Sequence, residues 1–171
     1  MIQILPTDTC YGLSGDFNKE DYLGIYSLKG RDFSRPLAFL VRDFDDLDNY
    51  INLSKEQKEY LRNYPHPWSI LGVRKDTYTL PSFLNQEQYS KISLRVAKKC
   101  ILESVSNTLV FPLFLTSANI SGQSESSTLA MAQNIFPGVV GQDGGLCNNP
   151  PSDIFSFGES NELIFLRKNS Q

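Results

Sequence analysis

Histidine is nearly absent from this 171-residue chain, and cysteine is sparse: His66 stands alone beside three cysteines. Cys10, Cys100 and Cys147 are far apart and odd in number, with no C-x-x-C pair. That argues against both a disulfide framework and a zinc site, so no protein-held metal is expected. No convincing Ser-His or Cys-His pair offers itself for nucleophilic catalysis. No apolar run approaches the ~20 residues needed to cross a bilayer. The segment from Met1 to Pro6 carries no basic stretch and no long apolar run of a secretory signal. Free thiols and these absences make the cytoplasm the expected location, away from any membrane. An excess of positive charge is also missing. The formal net charge is -3, which is not the global signature of a protein that grips nucleic acid by charge alone, although a local basic patch stays open. Neither G-x-x-x-x-G-K-[ST] nor G-x-G-x-x-G occurs, so any nucleotide site must be built another way.

What is present is an ordinary globular composition, 40% hydrophobic and 20% charged, with no repeat or linker. The length fits one domain over 1–171, on a usual prior of ~100–200 residues per domain. Short apolar runs alternate with amphipathic stretches, the pattern of an α/β fold. Strands are predicted at Ile2–Leu5, Leu37–Val41, Ser69–Val73, Ile92–Val96, Leu113–Thr116, Asp153–Phe157 and Leu163–Leu166. Tyr22, Ile25, Tyr26 and Lys29 follow helical spacing with Asn18 as N-cap. Ser54 and Gln57 form a capping box opening a helix to about Arg62. Ile101, Leu102, Val105 and Leu109 make a helical stripe before Pro112, and Ser127 to Phe136 makes another helix.

Polar clusters fall where strands end, which is where open α/β sheets bind ligands. Pro6-Thr7-Asp8-Thr9-Cys10-Tyr11-Gly12-Leu13 offers hydroxyls, a carboxylate and a phenol; on chemistry alone it reads as a strand-to-helix turn, and Gly12-Leu13-Ser14-Gly15 as a plain turn. Lys29 and Arg31, with Arg35 soon after, read either as dipole complements on a solvated helix end or as a cation cluster for a triphosphate. Thr116-Ser117-Ala118-Asn119-Ile120-Ser121-Gly122 is dense in neutral hydrogen-bonding groups, suited to a carboxylate or a sugar hydroxyl, or to a turn with an N-cap.

Taken together, "PTDTCYGL", "KGR" with a following "PL", "PHPWSIL", "ISLRV", "PLFLTSANISG" and "PSDIFSF" resemble, in order and rough spacing, the YrdC-like threonylcarbamoyl-AMP synthases. The resemblance runs from about Leu5 to Arg167, and the pairing of PTDT-x-YGL with TSAN-x-SG is its most specific part. It implies a twisted open mixed sheet with flanking helices and a concave, cationic ligand cavity. It implies that ATP, L-threonine and bicarbonate, with Mg²⁺, yield threonylcarbamoyl-adenylate and pyrophosphate. The product would feed threonylcarbamoylation of a tRNA adenosine, completed by partner proteins.

Carried over by motif, Lys29 and Arg31 are the candidate catalytic cations. ATP would be met by Lys29, Arg31, Arg35, Asn119, Ser127 and Arg167, and L-threonine by Thr7, Arg95, Ser117 and Ser152. The attacking group is then the substrate's own carbamate oxygen, so positioning and charge neutralisation suffice. The chain departs from the family pattern at Asp32, Arg35, Leu40, His66 and Asp153, and the helix that commonly precedes the first motif is missing. Two other readings fit the residues. One is a non-catalytic module binding tRNA or double-stranded RNA on the same fold. The other is a carbamoyl-adenylate enzyme of hydrogenase maturation, whose zinc-finger-like segments are not seen here.

Overall fold

The computed structural model describes residues 1–170. Its eight strands are β1 (Gln3–Pro6), β2 (Tyr11–Asp16), β3 (Ala38–Val41), β4 (Trp68–Val73), β5 (Lys91–Val96), β6 (Leu113–Ser117), β7 (Asp153–Phe157) and β8 (Leu163–Arg167). Helices α1 (Lys19–Lys29), α2 (Lys55–Asn63), α3 (Ala97–Cys100), α4 (Glu103–Ser106) and α5 (Leu129–Ile135) flank them. The strands form one twisted mixed sheet in the order β1-β2-β6-β3-β5-β4-β7-β8. Pairs β3/β5 and β4/β7 are parallel and the rest antiparallel.

The two-residue side-chain period of each strand divides the sheet into two unlike faces. One face carries Ile4, Tyr11, Leu13, Phe39, Val41, Ile70, Ile92, Leu94, Phe114 and Phe155, all buried in the main core with α1 and α2. Phe17 stacks on Phe114 with ring centroids 4.4 Å apart, and Phe39 stacks on Tyr89 at 5.6 Å. The opposite face is apolar at one end only. There Leu5, Leu40, Leu113 and Leu115 bury against Ala97, Ile101, Val105 and Leu109. Most of its remaining positions are small or polar, Gly12, Ala38, Ser69, Ser93 and Arg95, with Leu71 and Ile154 among them. A hollow is left over this part of the sheet because those side chains do not fill it.

The N-caps form as the sequence suggests. Asn18 accepts the Asp21 N–H at 2.9 Å, and Ser54 and Gln57 exchange both capping-box bonds. Gly30 ends α1 in the left-handed region at φ 55°, which a side chain would oppose.

Three expectations change. The stretch Tyr11–Asp16, expected as a turn, is a strand in the middle of a β1-β2-β6 antiparallel set. Its glycine is there for close packing: a Cβ on Gly12 would lie 2.7 Å from Leu115 Cδ1. The stripe from Ile101 to Leu109 is not one helix: α3 ends just before it at Cys100, and within it α4 covers Glu103–Ser106. The Cys100 carbonyl accepts the Asp8 N–H at 2.8 Å, and the chain extends at Ile101 (φ -131°, ψ 144°) to meet the first loop. The later helix begins at Leu129 with Thr128 as its cap, so Ser127 precedes it.

Asp153 faces the main core rather than the hollow. Its carboxylate accepts the Tyr64 hydroxyl at 2.7 Å and the backbone N–H groups of Asn169 and Ser170 at 2.7 and 2.9 Å. Burial alone would push its pKa up, but the donors from Ser170, Tyr64 and Asn169 outweigh it and bring it down to about 2. The folded value lies below the unfolded one. The stabilisation, on the order of 2 kcal/mol, is therefore complete above about pH 4 and disappears as pH falls through about 2. Asp153→Asn is expected to remove that acid limb. Denaturant unfolding of both proteins at pH 4, 3 and 2 checks it, and parallel stability curves would refute it.

Candidate functional site

The hollow on the polar half of the second face has a volume of about 470 Å³. Strands β2 to β7 give its floor, and loops at the strand ends give its rim. Thr7, Arg31, Arg35, Arg95, Ser117, Ser152 and Arg167 all line it, so seven of the ten residues singled out in the sequence come together. They arrive from the end of β1, the turn after α1, the last part of β5, the end of β6, the start of β7 and the end of β8. Four are arginines; among the described residues Glu125 is the one carboxylate of the lining.

Arg95 is fixed at two points. Its Nε donates to the Trp68 carbonyl at 3.2 Å, and its Nη2 pairs with Asp8 Oδ1 at 2.5 Å. Arg167 reaches back from β8, with Nε donating to the Ser152 carbonyl at 2.9 Å and Nη2 to the Ser152 hydroxyl at 3.2 Å. Ser152 Oγ in turn lies 3.2 Å from Ser69 Oγ. Arg31 is held over the rim by bonds to the carbonyls of Arg35 and Pro36, at 3.0 and 3.1 Å. The Arg35 side chain is exposed at the mouth. Thr7 donates its hydroxyl to the Cys10 carbonyl at 2.7 Å and receives the Thr9 N–H, which shapes the first loop.

The other three residues lie elsewhere. Lys29 is buried, with 1% exposure, beneath the loop after β6 rather than on a solvated helix end. Its Nζ donates to the carbonyls of Ser117 and Asn119 and to Asn119 Oδ1. Burial, then repulsion from Arg31, lowers its pKa to about 8. Asn119 has all its capacity in use: Oδ1 accepts from Lys29 and Ser117, and Nδ2 donates to the carbonyls of Ile120 and Gln123. Both residues therefore shape the loop that presents Ser117. Ser127 bonds to Met131 Sδ at 3.3 Å and is not part of the lining.

Some lining residues are not singled out in the sequence, although Ser69 and Ser93 lie within the PHPWSIL and ISLRV motifs. Ser69 and Ser93 sit at alternate strand positions where a second core face would want larger apolar groups, and that break in period is the trace they leave. Glu125 is brought in by its neighbour Ser126, whose carbonyl accepts the Tyr11 N–H at 2.9 Å and whose hydroxyl donates to Ala118 at 2.7 Å. Cys10 also lines the hollow. Burial, then the Glu125 charge, pushes its thiol up to about 12, which removes it as a nucleophile near neutral pH. Among the described residues no group of three or more His, Cys, Asp or Glu is placed to hold a metal. No helix among them is long and apolar enough to cross a membrane.

A family model described as "Telomere recombination", for Sua5, YciO and YrdC, matches residues 1–168. The chain belongs to the Sua5/YciO/YrdC family. A putative threonylcarbamoyl-AMP synthase of Methanocaldococcus jannaschii is 30% identical over 130 residues, covering 75% of this chain and 59% of that protein. The threonylcarbamoyl-AMP synthase of Hydrogenovibrio crunogenus is 24% identical over 157 residues, covering 88% of this chain and 83% of its own. Among solved structures, the P. abyssi Sua5 complexed with L-threonine superposes with a TM-score of 0.76 at 22% identity, covering 97% of this chain and 49% of that one. The chain thus spans just over half of the first of these relatives and about half of the third. Within the family, this likeness establishes the sheet and its flanking helices as the shared fold.

Proposed function

We propose that this chain forms threonylcarbamoyl-adenylate and pyrophosphate from ATP, L-threonine and bicarbonate. The observation that carries the reading is the lining itself: four guanidinium groups, one of them the carboxylate-paired Arg95, converge over a floor rich in small and hydroxyl side chains. That arrangement suits an amino acid and a polyphosphate held together. It supplies no nucleophile of its own, and the reaction requires none. The threonine amine condenses with bicarbonate to a carbamate with loss of water. A carbamate oxygen then attacks the α-phosphorus and pyrophosphate leaves. Bringing these groups into line and neutralising charge on the phosphoryl oxygens is the protein's whole task.

In this scheme Arg95 holds the threonine carboxylate, with Thr7, Ser117 and Ser152 offering hydroxyls around it. Arg31, Arg35 and Arg167 face the phosphates. Lys29 and Asn119 act through the loop they hold, and Ser127 stands outside the first contacts. Mg²⁺ would enter with the triphosphate, keeping most of its waters, with Glu125 the lining carboxylate available to it. The product would serve tRNA adenosine modification in the cytoplasm, with partner proteins completing the transfer.

The test is pyrophosphate release by the purified chain with ATP and Mg²⁺, with and without L-threonine and bicarbonate. Release that needs both, with threonylcarbamoyl-adenylate seen by mass spectrometry, is the expected result. Absence of release from folded protein would overturn the reading. Salt-sensitive tRNA binding in its place would point to a binding module.

A further inference from the structure

Asp8 projects from the first loop and pairs with Arg95 at 2.5 Å. The Arg95 side chain is 8% exposed, and the pair links the loop after β1 to the last part of β5. Arg95 has three nitrogens. Nε is taken by the Trp68 carbonyl and Nη2 by Asp8, and none of the hydrogen bonds among the described residues uses Nη1. Arg95 belongs to the lining of the hollow. The guanidinium is therefore locked along one edge and left open along another.

The lock is itself rigid. The Asp8 N–H donates to the Cys100 carbonyl at 2.8 Å, and the Asp8 carbonyl accepts from Asn149 Nδ2 at 2.6 Å. Two other segments thus hold the backbone of Asp8 in place. A buried arginine without such a partner would be an uncompensated charge with several rotamers open to it. The carboxylate both offsets the charge and selects one orientation.

We infer that Asp8 is a positioning residue for substrate carboxylate recognition: it fixes the Arg95 guanidinium so that its remaining edge receives the carboxylate of the amino acid. This rests on the synthase reading above, and it excludes a role for Asp8 as a ligand of the divalent cation. Orientation needs an acceptor oxygen at the Asp8 position, whereas a metal ligand needs its negative charge. Asp8→Asn keeps an acceptor oxygen of the same reach and Asp8→Ala keeps none.

The experiment compares the two variants with the parent protein by steady-state kinetics and by calorimetric binding of L-threonine. Parent binding is measured first, since a parent protein that binds no threonine removes the function reading itself. With binding established, Asp8→Ala is expected to raise KM and Kd for threonine by roughly tenfold or more, the loss of one charge-assisted bond's alignment. Its KM for ATP and its Mg²⁺ activation curve stay within about twofold. Asp8→Asn is expected to recover most of the threonine affinity. Three outcomes overturn the inference: unchanged threonine affinity in Asp8→Ala, a raised Mg²⁺ requirement in both variants, or a parallel rise in both substrates' KM values. Thermal unfolding of each variant separates the last outcome from simple loss of fold.

Discussion

Replacing Lys29 with methionine should abolish most pyrophosphate release while changing stability little. The two effects have different sources. Lys29 is 1% exposed and lies under the loop after β6 with three oxygen acceptors. The drop of its pKa from 10.5 to about 8 corresponds to about 3 kcal/mol of burial and repulsion borne at neutral pH. Methionine fills a similar volume and removes that cost, but it deletes three hydrogen bonds, at ~1 kcal/mol each, although Asn119 Oδ1 keeps Ser117 Oγ and the Ser117 carbonyl keeps the Asn119 N–H as donors. These terms are of similar size and opposite sign, so net stability should move by no more than about 1–2 kcal/mol. Activity has no such offset. Ser117 and the Asn119 amide lose the group that holds them, and turnover should fall on the order of a hundredfold. Lys29→Ala adds a cavity and should cost a further ~2 kcal/mol. Denaturant unfolding beside pyrophosphate release measures both. Equal stability in the Met and Ala variants, or retained turnover in the Met variant, would contradict the clamp. A linked effect follows from the same pKa. Between about pH 8 and 10.5 the unfolded chain holds a proton that the folded one has released, so stability gains from this group as pH rises.

Arg31→Ala should likewise change stability little and lower turnover, but for a different reason. Arg31 donates to two carbonyls of an exposed turn, at Arg35 and Pro36, so its loss should cost about 1 kcal/mol or less. Under the proposed function it is a rim cation that would face the phosphates, and it is expected to contribute roughly a hundredfold to turnover through charge neutralised in the transition state. Arg31→Lys keeps the charge but not the planar fork, and should recover only part of that loss. The measurement is kcat/KM for ATP in all three proteins. Unchanged values in Arg31→Ala would remove Arg31 from the phosphate site.

Lys29 and Arg31 sit two residues apart, and nothing in their spacing separates a buried clamp from a rim cation. Seven of the eight strands are announced by apolar runs, because each places at least one large apolar side chain in or against the main core. Tyr11–Asp16 escapes because Gly12, Ser14 and Gly15 dilute its pattern, and Gly12 is small for the sake of Leu115 across the sheet. The break at Ile101 escapes for a different reason: it is set by a bond from Cys100 to Asp8, ninety-two residues away, which no local pattern records. Arg95 and Ser152 are visible as motif residues, but what they touch depends on register between distant strands. Asp153 departs from the family's late Ser-Thr pair, and the structure gives it a separate use, anchoring the segment after β8 to Tyr64.

The strand order puts β1 and β8 at opposite edges of one sheet, yet residues from the ends of both reach the same hollow. The lining thus draws together residues as far apart in sequence as Thr7 and Arg167. A nascent chain that has emerged as far as β6 has Thr7 and Arg95 but neither Ser152 nor Arg167. Most of the pairings that bring these residues together span long stretches of sequence, which makes their closure slow relative to helix formation. Recovery of ligand binding during refolding should therefore coincide with the final cooperative step, and a chain released early from synthesis would be inert rather than partly active.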